Sequence, residues 1–236
     1  AEYRALLQFG AGISPDDIIV IRDSDDLILE INEEDKVTIN NWYQGTQGYH
    51  RIGTIQFGSD DPVGASTWIN SKPIHFQESG TLEGTIEANI LLGTAGVDYI
   101  MGYGREDVIE GGEGNDHLSG NRLNIAADGS VSVFGSSDNA VDTFIFNLGD
   151  DHDTLYEYNT SAQYQSLLRF GPGIIEDAIT VTRSGDDVIL EINTEDKVTI
   201  HNWFAGSAGY YQIGKIQFDG QPAVSAYMFV NSKLNP

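Results

Sequence analysis

Glycine and acidic residues recur at a fixed interval in the middle of the chain. Glycines stand nine residues apart, at Gly84, Gly93, Gly102, Gly111 and Gly120. Five positions after the first four of them come Asn89, Asp98, Asp107 and Asp116, and two positions later come Leu91, Ile100, Ile109 and Leu118. Carboxylate and carbonyl oxygens are ligands for hard cations, so this register predicts a repeated dication site.

The spacing also predicts how these residues stack. A short strand carries each aliphatic side chain inward, and glycine adopts the turn before it at low conformational cost. Two nine-residue units would complete one coil, so residues 18 apart would lie about 4.8 Å from each other. Asp98 would then face Asp116, and the neutral Asn89 would face Asp107. Facing carboxylates repel by about 1 kcal/mol even in water, and a dication between them reverses the sign.

The composition favours calcium as that dication. The 236 residues include 36 Asp and Glu against 12 Lys and Arg, a formal charge of -24, and no cysteine. Nucleic acid and anionic membranes would be repelled, and thiolate metal sites and disulfides are excluded. Calcium accepts about six to eight oxygen ligands in loose geometry, whereas magnesium needs a strict octahedron and zinc prefers imidazole or thiolate.

The nonapeptide register resembles a known family. The unit Gly111–Ser119 fits G-G-x-G-x-D-x-U-x, where U is a large aliphatic residue. It resembles the RTX (repeats-in-toxin) repeats, and the resemblance implies a parallel β-roll with calcium between successive turns. By position, the implied side-chain ligands are Asp98, Asp107 and Asp116. The implied carbonyl ligands are Gly93, Ala95, Gly96, Gly102, Gly104, Gly111, Gly112, Glu113 and Gly114.

The register has departures. Thr94 and Tyr103 replace second-position glycines, and Arg105 replaces a fourth-position glycine. From about 121 to 134 the register is lost, which predicts an inserted loop. It resumes near residues 141–146 and 149–155, where the resemblance implies Asp142 and Asp153 as further ligands, with Asp151 at a usual glycine position.

A longer repeat flanks this segment. A shift of 161 residues aligns Tyr3–Phe57 with Tyr164–Phe218 without a gap, and 34 of those 55 positions are identical. Stretches such as Leu168–Ile174 and Gly214–Phe218 resemble the haemolysin-type calcium-binding-protein-related domain. The chain therefore carries two copies of one module.

Each copy alternates with period two, which predicts strands. Acidic turns such as Asp25-Asp26 and Glu34-Asp35 separate the strands, and we expect them to be hairpin-tip charges rather than ion sites. Ile18 and Val20 are apolar in both copies, whereas Ile19 and Ile21 become Thr180 and Thr182, so the first pair should face inward. Trp42 and Trp203 are expected to cap the core.

The predicted fold is therefore all-β, with a central parallel β-roll flanked by two duplicated antiparallel β-meander modules. The expected domains are a first module at 1–72, a roll at 73–156 and a second module at 157–236. No apolar run is long enough to span a membrane as a helix.

The predicted function is non-enzymatic. No nucleophile elbow, zinc-protease motif or phosphate loop is present, and His50, His75, His117, His152 and His201 lack ligand spacing. The resemblance implies a calcium-folded module of a larger, extracellular bacterial protein that leaves the cell by type I secretion. Two alternatives stay open. One is an adhesin or glycan-binding segment that uses exposed aromatics such as Tyr43, Trp68 or Tyr103 to bind a cell-surface glycan or host protein. The other is an accessory part of a secreted hydrolase.

Overall fold

The computed structural model describes residues 5–44, 51–134, 137, 139–161, 165–206 and 209–234. The chain forms two compact units, Ala1–Glu78 and Ser79–Pro236. Almost all regular structure is β-strand, which confirms the all-β class. Within the described residues, no helix is long and apolar enough to cross a membrane.

The first unit contains one copy of the duplicated module. Its elements are β1 (Leu6–Phe9), β2 (Ile19–Asp23), β3 (Asp26–Glu30), β4 (Lys36–Ile39), β5 (Thr54–Phe57), β6 (Val63–Gly64), α1 (Ala65–Asn70) and β7 (Pro73–Phe76). Strands β2, β3 and β4 form the predicted antiparallel meander. Strand β2 also pairs in parallel with β7, while β5 pairs in parallel with β1 and antiparallel with β6.

The second unit contains the nonapeptide segment and the other copy. Its first strands are β8 (Thr81–Glu83), β9 (Ile90–Leu92), β10 (Tyr99–Met101), β11 (Val108–Glu110), β12 (His117–Ser119), β13 (Arg122–Ile125), β14 (Val131–Phe134), β15 (Thr143–Phe146) and β16 (His152–Leu155). Its later elements are β17 (Leu167–Phe170), β18 (Thr180–Ser184), β19 (Asp187–Glu191), β20 (Lys197–Ile200), β21 (Lys215–Gln217), β22 (Val224–Ser225) and α2 (Ala226–Leu234).

Alternate strands of this unit enter two parallel ladders, the arrangement of a β-roll. One ladder runs β8, β10, β12, β16, β20, and the other runs β9, β11, β15, β17, β21. Tyr99 pairs with Thr81 on one side and with His117 on the other, so residues 18 apart are neighbours as the nine-residue register predicts. The hairpin of β13 and β14 occupies the place where the register is lost.

The second copy also contributes strands to the roll. Strands β18, β19 and β20 form the predicted antiparallel meander. Strand β20 then pairs in parallel with β16, and β17 and β21 extend the other ladder. Period-two alternation identifies a strand but carries no information on its partner, so these parallel pairings were not predicted. The predicted boundaries at residues 72 and 156 stay predictions.

The core follows the predicted inward faces. Val20 is fully buried and Ile18 nearly so, whereas 47% of Ile19 is exposed. Trp42 and Trp203 are buried, which confirms their core-capping role. The aliphatic positions of the repeat line the interior of the roll, and all of them are fully or almost fully buried: Leu91, Ile100, Ile109 and Leu118.

Candidate metal centre

Aspartate side chains bridge the successive turns of the roll in two ladders. Each bridge is a hydrogen bond from a backbone N–H to the Oδ1 atom of the aspartate on the next turn. In the first ladder the N–H of Gly80, Asp98 and Asp116 donates to Asp98, Asp116 and Asp153, at 2.8, 2.8 and 3.0 Å. In the second, the N–H of Asn89 and Asp107 donates to Asp107 and Asp142, at 2.8 and 2.9 Å. The structure therefore places Asp98 next to Asp116 and Asn89 next to Asp107, as the spacing predicted.

Hydrogen bonds between main-chain atoms also hold the ladder aspartates in place. The N–H of His117 donates to the carbonyl of Asp98, and the N–H of Thr154 donates to the carbonyl of Asp116, at 2.8 and 2.7 Å. Each aspartate is thus tied to the next turn through its backbone and to the previous turn through its side chain. Asp98 and Asp116 each stand directly before a strand, β10 and β12, which holds the backbone at the carboxylate in place.

These carboxylates lie inside the protein. Asp98, Asp107, Asp116, Asp142 and Asp153 are each at most 1% exposed. Within the described residues, neither Asp116 nor Asp153 has a Lys, Arg or His ion-pair partner. An isolated carboxylate in such a place is expensive to keep ionised.

The cost is visible in the protonation equilibria of the first ladder. Burial raises the pKa of Asp116 to about 7, against the lowering effect of the hydrogen bond from Asp98, and the Asp98 charge raises it further. Burial likewise raises the pKa of Asp153 to about 9, with the negative charge of Asp116 acting in the same direction. A cation beside these oxygens would favour the ionised form and remove the penalty.

The second carboxylate oxygens show where a cation fits. Both oxygens of Asp98 accept hydrogen bonds, because Oδ1 accepts from the N–H of Gly80 and Oδ2 accepts from the N–H and hydroxyl of Thr94 at 2.7 and 2.9 Å. The Oδ2 atoms of Asp116 and Asp153 are buried and accept no hydrogen bond from the described part of the chain. Hard anionic oxygens of this kind suit calcium. The carboxylate oxygens left without a hydrogen bond from the described residues therefore include those of Asp116 and Asp153, one and two turns beyond Asp98.

The glycines of the repeat let the turns approach closely. A Cβ atom on Gly93 would collide with the carbonyl of Gly111, and one on Gly112 would collide with the carbonyl of Thr94. Gly112 and Gly114 also have positive φ angles of 90° and 123°, which other residues rarely adopt. This packing brings main-chain carbonyls of neighbouring turns together. The ligand roles proposed for the carbonyls of Gly93, Ala95, Gly96, Gly102, Gly104, Gly111, Gly112, Glu113 and Gly114 stay predictions.

The predicted donor set consists mainly of carbonyls and single carboxylates rather than clustered side chains. Among the residues that the structure describes, no group of three or more His, Asp or Glu side chains could hold an ion by themselves. Calcium accepts main-chain carbonyls as ligands, so this arrangement is compatible with it. Side-chain clusters of the zinc type are not what the roll offers.

Comparison with known proteins agrees with this geometry. Residues 92–124 match the RTX calcium-binding nonapeptide repeat, in a model of four copies. These residues are RTX repeats, and such repeats bind calcium ions. Residues 26–58 and 187–220 match the haemolysin-type calcium binding protein related domain, which confirms the second resemblance. The chain is also similar to the iron-regulated protein FrpA of Neisseria meningitidis serogroup C, with 32% identity over 79 residues. Those residues are 33% of this chain and 7% of that protein.

One buried acid next to the RTX repeats was missed by the sequence analysis. Asp196 is 4% exposed, and its Oδ1 accepts from the N–H groups of Gly149 and Asp151, at 3.0 and 3.3 Å. Its counterpart in the first module, Asp35, is exposed at a hairpin tip. Only the parallel pairing of β20 with β16 gives Asp196 this position, and no local sequence signal distinguishes the two acids.

The aromatics proposed for glycan binding are not exposed. Trp68 is buried at 9%, and Tyr43 and Tyr103 are half-buried. The hydroxyl of Tyr103 donates to Glu83 at 2.6 Å. The expectation that aromatics such as Tyr43, Trp68 or Tyr103 are exposed is wrong, because each of the three packs into its own unit.

Proposed function

We propose that this chain is a non-catalytic module of a larger secreted bacterial protein and that calcium drives its folding. The buried Oδ2 atoms of Asp116 and Asp153 are the observation that carries the proposal. Calcium held by Asp98, Asp107, Asp116, Asp142 and Asp153 with nearby carbonyls would supply the positive charge that the interior of the roll needs. The ladder hydrogen bonds from the backbone would orient these carboxylates for the ion.

Secretion gives this chemistry a physiological role. Cytosolic calcium is scarce, so the buried carboxylates would oppose folding before export through a type I channel. Outside the cell calcium is millimolar, and extracellular-class sites bind at about 10⁻⁴ M. Each such site then adds about 1.4 kcal/mol to the folding free energy. Several sites together decide whether the roll folds.

Calcium titration into the chelator-treated full chain tests the proposal. We expect the far-UV circular dichroism of β-structure to develop with calcium, together with a saturable heat of binding. Unchanged dichroism without any heat of binding would refute coupled folding and binding.

Two isosteric variants locate the ions. Asp116→Asn and Asp153→Asn keep an oxygen that can accept the ladder hydrogen bond but remove the charge, so each should lose at least one calcium ion from the stoichiometry. Asp61→Asn is the matched control, because Asp61 is exposed and makes the same change in net charge. Equal calcium stoichiometry in all three variants would exclude the proposed ligands.

The effect of Asp116→Asn on stability should also change sign when calcium is added. In chelator the variant removes a buried charge with a raised pKa, so at pH 8 a larger fraction of it than of the parent protein should be folded, as measured by circular dichroism. In millimolar calcium it loses a ligand, so it should unfold at a lower temperature. A change of the same sign in both buffers would contradict an ion-bridging role.

A further inference from the structure

Asn89 occupies a ligand position of the second ladder but carries no charge. Its N–H donates to Oδ1 of Asp107 at 2.8 Å, and its carbonyl accepts from the N–H of Val108 at 2.9 Å. Asp98 makes the same two kinds of bond to the turn of Asp116 in the first ladder. Only 2% of Asn89 is exposed. Its turn is therefore built into the roll like the turns that carry aspartate.

The backbone of this turn is also packed as closely as the later turns are. A Cβ atom on Gly84 would collide with the carbonyl of Gly102, and one on Gly104 would collide with the carbonyl of Ile86. Carbonyl oxygens of adjacent turns thus lie close together here, as they do further along the roll. Because the backbone is so similar, the side chain at the ligand position decides whether the turn holds an ion.

Thr85 uses the oxygen of the Asn89 side chain. Oδ1 of Asn89 accepts from the N–H of Thr85 at 2.7 Å and from its hydroxyl at 3.0 Å. A backbone N–H can only donate, so this contact fixes which end of the carboxamide faces Thr85. The oxygen of a carboxamide has two lone pairs, and these two bonds occupy both. The Asn89 oxygen therefore has no lone pair left for a cation.

The other end of the carboxamide is a hydrogen-bond donor. Nδ2 of Asn89 is buried and has no hydrogen-bond partner in the described part of the chain. An amide nitrogen presents hydrogens with partial positive charge, so it repels a cation instead of binding it. The side chain of Asn89 thus offers a calcium ion no ligand atom at either end.

The turn of Asp98 shows what an oxygen in the place of Nδ2 could do. Thr94 binds Oδ2 of Asp98 through its N–H and hydroxyl, as Thr85 binds Oδ1 of Asn89. The remaining atom of Asp98 is Oδ1, which accepts the N–H of Gly80 at 2.8 Å. A carboxylate oxygen has lone-pair capacity beyond one such bond, so Oδ1 can also approach an ion. The two side chains differ in this one atom and in the charge.

Neutral residues stand at both ends of both ladders. The ligand positions in order are Gly80, Asp98, Asp116, Asp153 and Val198 in the first ladder, and Asn89, Asp107, Asp142 and Ser166 in the second. Ser166 is fully buried, and its hydroxyl oxygen accepts the N–H of Asp142 at 3.2 Å. Asn89 and Ser166 therefore keep the hydrogen bonds of the ladder without adding a buried charge at its ends.

We propose that Asn89 excludes calcium from the turn of residues 84–92 and thereby fixes where the run of ions in the second ladder begins. This inference rests on the calcium-binding function proposed above. Asn89 sets the number of bound ions and is not itself a ligand. Thr85 holds the carboxamide in the excluding orientation, with its oxygen saturated and its donor end left toward any cation that approaches.

Asn89→Asp tests the proposal because it replaces Nδ2 with an oxygen of similar size. At saturating calcium, equilibrium dialysis of the full chain should show one more bound ion for this variant than for the parent chain. Asn124→Asp is the matched control, because Asn124 is exposed and the change in charge is the same. It should bind the same number of ions as the parent chain. Equal counts for Asn89→Asp and Asn124→Asp would overturn the proposal.

Asn89→Ala distinguishes an excluding residue from a weak ligand. This variant loses the bonds from Thr85 and should melt at a lower temperature, but its calcium-loaded form should bind as many ions as the parent chain. A count lower by one ion would show that Asn89 is a ligand and would contradict the proposal. A parent chain that binds no calcium would instead refute the proposed function, and this inference with it.

The added carboxylate should also make folding depend more strongly on calcium. In chelator at pH 8, Asn89→Asp should be folded to a smaller fraction than the parent chain, because it adds a buried charge. In millimolar calcium an additional site with a Kd of about 10⁻⁴ M should raise its folding equilibrium constant about tenfold more than that of the parent chain. Circular dichroism in urea at both calcium levels measures this difference. An equal calcium response of the two chains, or an Asn89→Asp chain that stays unfolded in calcium, would refute the added site.

Discussion

Gly93→Ala perturbs the roll at the contact between two turns. The φ angle of Gly93 lies outside the left-handed region, so alanine brings no backbone strain of that kind. Its Cβ would collide with the carbonyl oxygen of Gly111 and lie 2.9 Å from Oδ2 of Asp98 and 3.0 Å from the Gly111 carbonyl carbon. Two of the three neighbouring atoms belong to the backbone, so the turns themselves must separate.

The expected cost follows from these contacts. Overpacking of this kind costs about 1–3 kcal/mol, and the lower chain entropy of alanine in the unfolded state offsets about 0.4–1 kcal/mol of it. For a chain of this length a net loss of about 1–2 kcal/mol lowers the melting temperature by about 2–8 °C. Thermal unfolding in millimolar calcium, followed by circular dichroism, measures the change.

Gly10→Ala is the control for this experiment. A Cβ on Gly10 would meet no atom within 4 Å, and its φ angle is also outside the left-handed region. This variant should melt within about 2 °C of the parent protein, since surface changes are usually within about 0.5 kcal/mol. If Gly93→Ala melts at the same temperature as Gly10→Ala, the turns of the roll are not packed as closely as the structure indicates.

Three further predictions concern the buried acids and the choice of ion. In chelator the protein should lose stability as pH rises from about 4 to about 9, because Asp116 and Asp153 have folded-state pKa values raised to about 7 and about 9. The folded state then binds more protons than the unfolded state, and a shift of this size at Asp116 alone is on the order of 4 kcal/mol. A folded fraction in chelator that increases with pH would contradict this sign. Asp196→Ala should lower the free energy of unfolding in urea by about 1–3 kcal/mol, whereas Asp35→Ala should change it by less than about 1 kcal/mol. The reason is that, of the two acids, Asp196 is the buried one and accepts hydrogen bonds from a distant loop. Equal losses in the two variants would contradict this role of Asp196. Magnesium at the same concentration should raise the melting temperature less than calcium does, because carbonyl-rich sites do not give it a regular octahedron, and equal shifts would indicate non-specific charge neutralisation.

Much of the roll could be predicted from the sequence because the residue types that define its structural repeat recur at a fixed interval. Nine-residue recurrence of Gly, Asp and an aliphatic residue fixes which side chains stack, and Tyr99 does pair with Thr81 and His117. The inward face of the meander followed from comparing Val20 with Ile19 across the two copies. Both signals consist of residue types at known spacings, and both indicate which side chains are buried.

The bridging hydrogen bonds and the pairing of the second module's strands with the roll could not be predicted in this way. The sequence indicated that Asp98 and Asp116 are neighbours, but not that one oxygen of Asp116 accepts the N–H of Asp98. Direction of pairing depends on how the chain closes over tens of residues, which alternation does not encode. For that reason β20 was recognised as a meander strand while its parallel contact with β16 was not.

The two modules show that sequence identity does not fix what a residue does. Lys36–Ile39 and Lys197–Ile200 have the same sequence, K-V-T-I, yet Val198 and Ile200 are fully buried while Val37 and Ile39 are only half-buried. The pairing of β20 with the roll causes the difference, and the same pairing carries Asp196 to the loop at Gly149. Conversely, β2 has a second strand partner and its equivalent β18 has none among the described residues. One repeated sequence thus has different strand neighbours in its two copies, and the neighbours determine whether an acid is a turn charge or a buried contact.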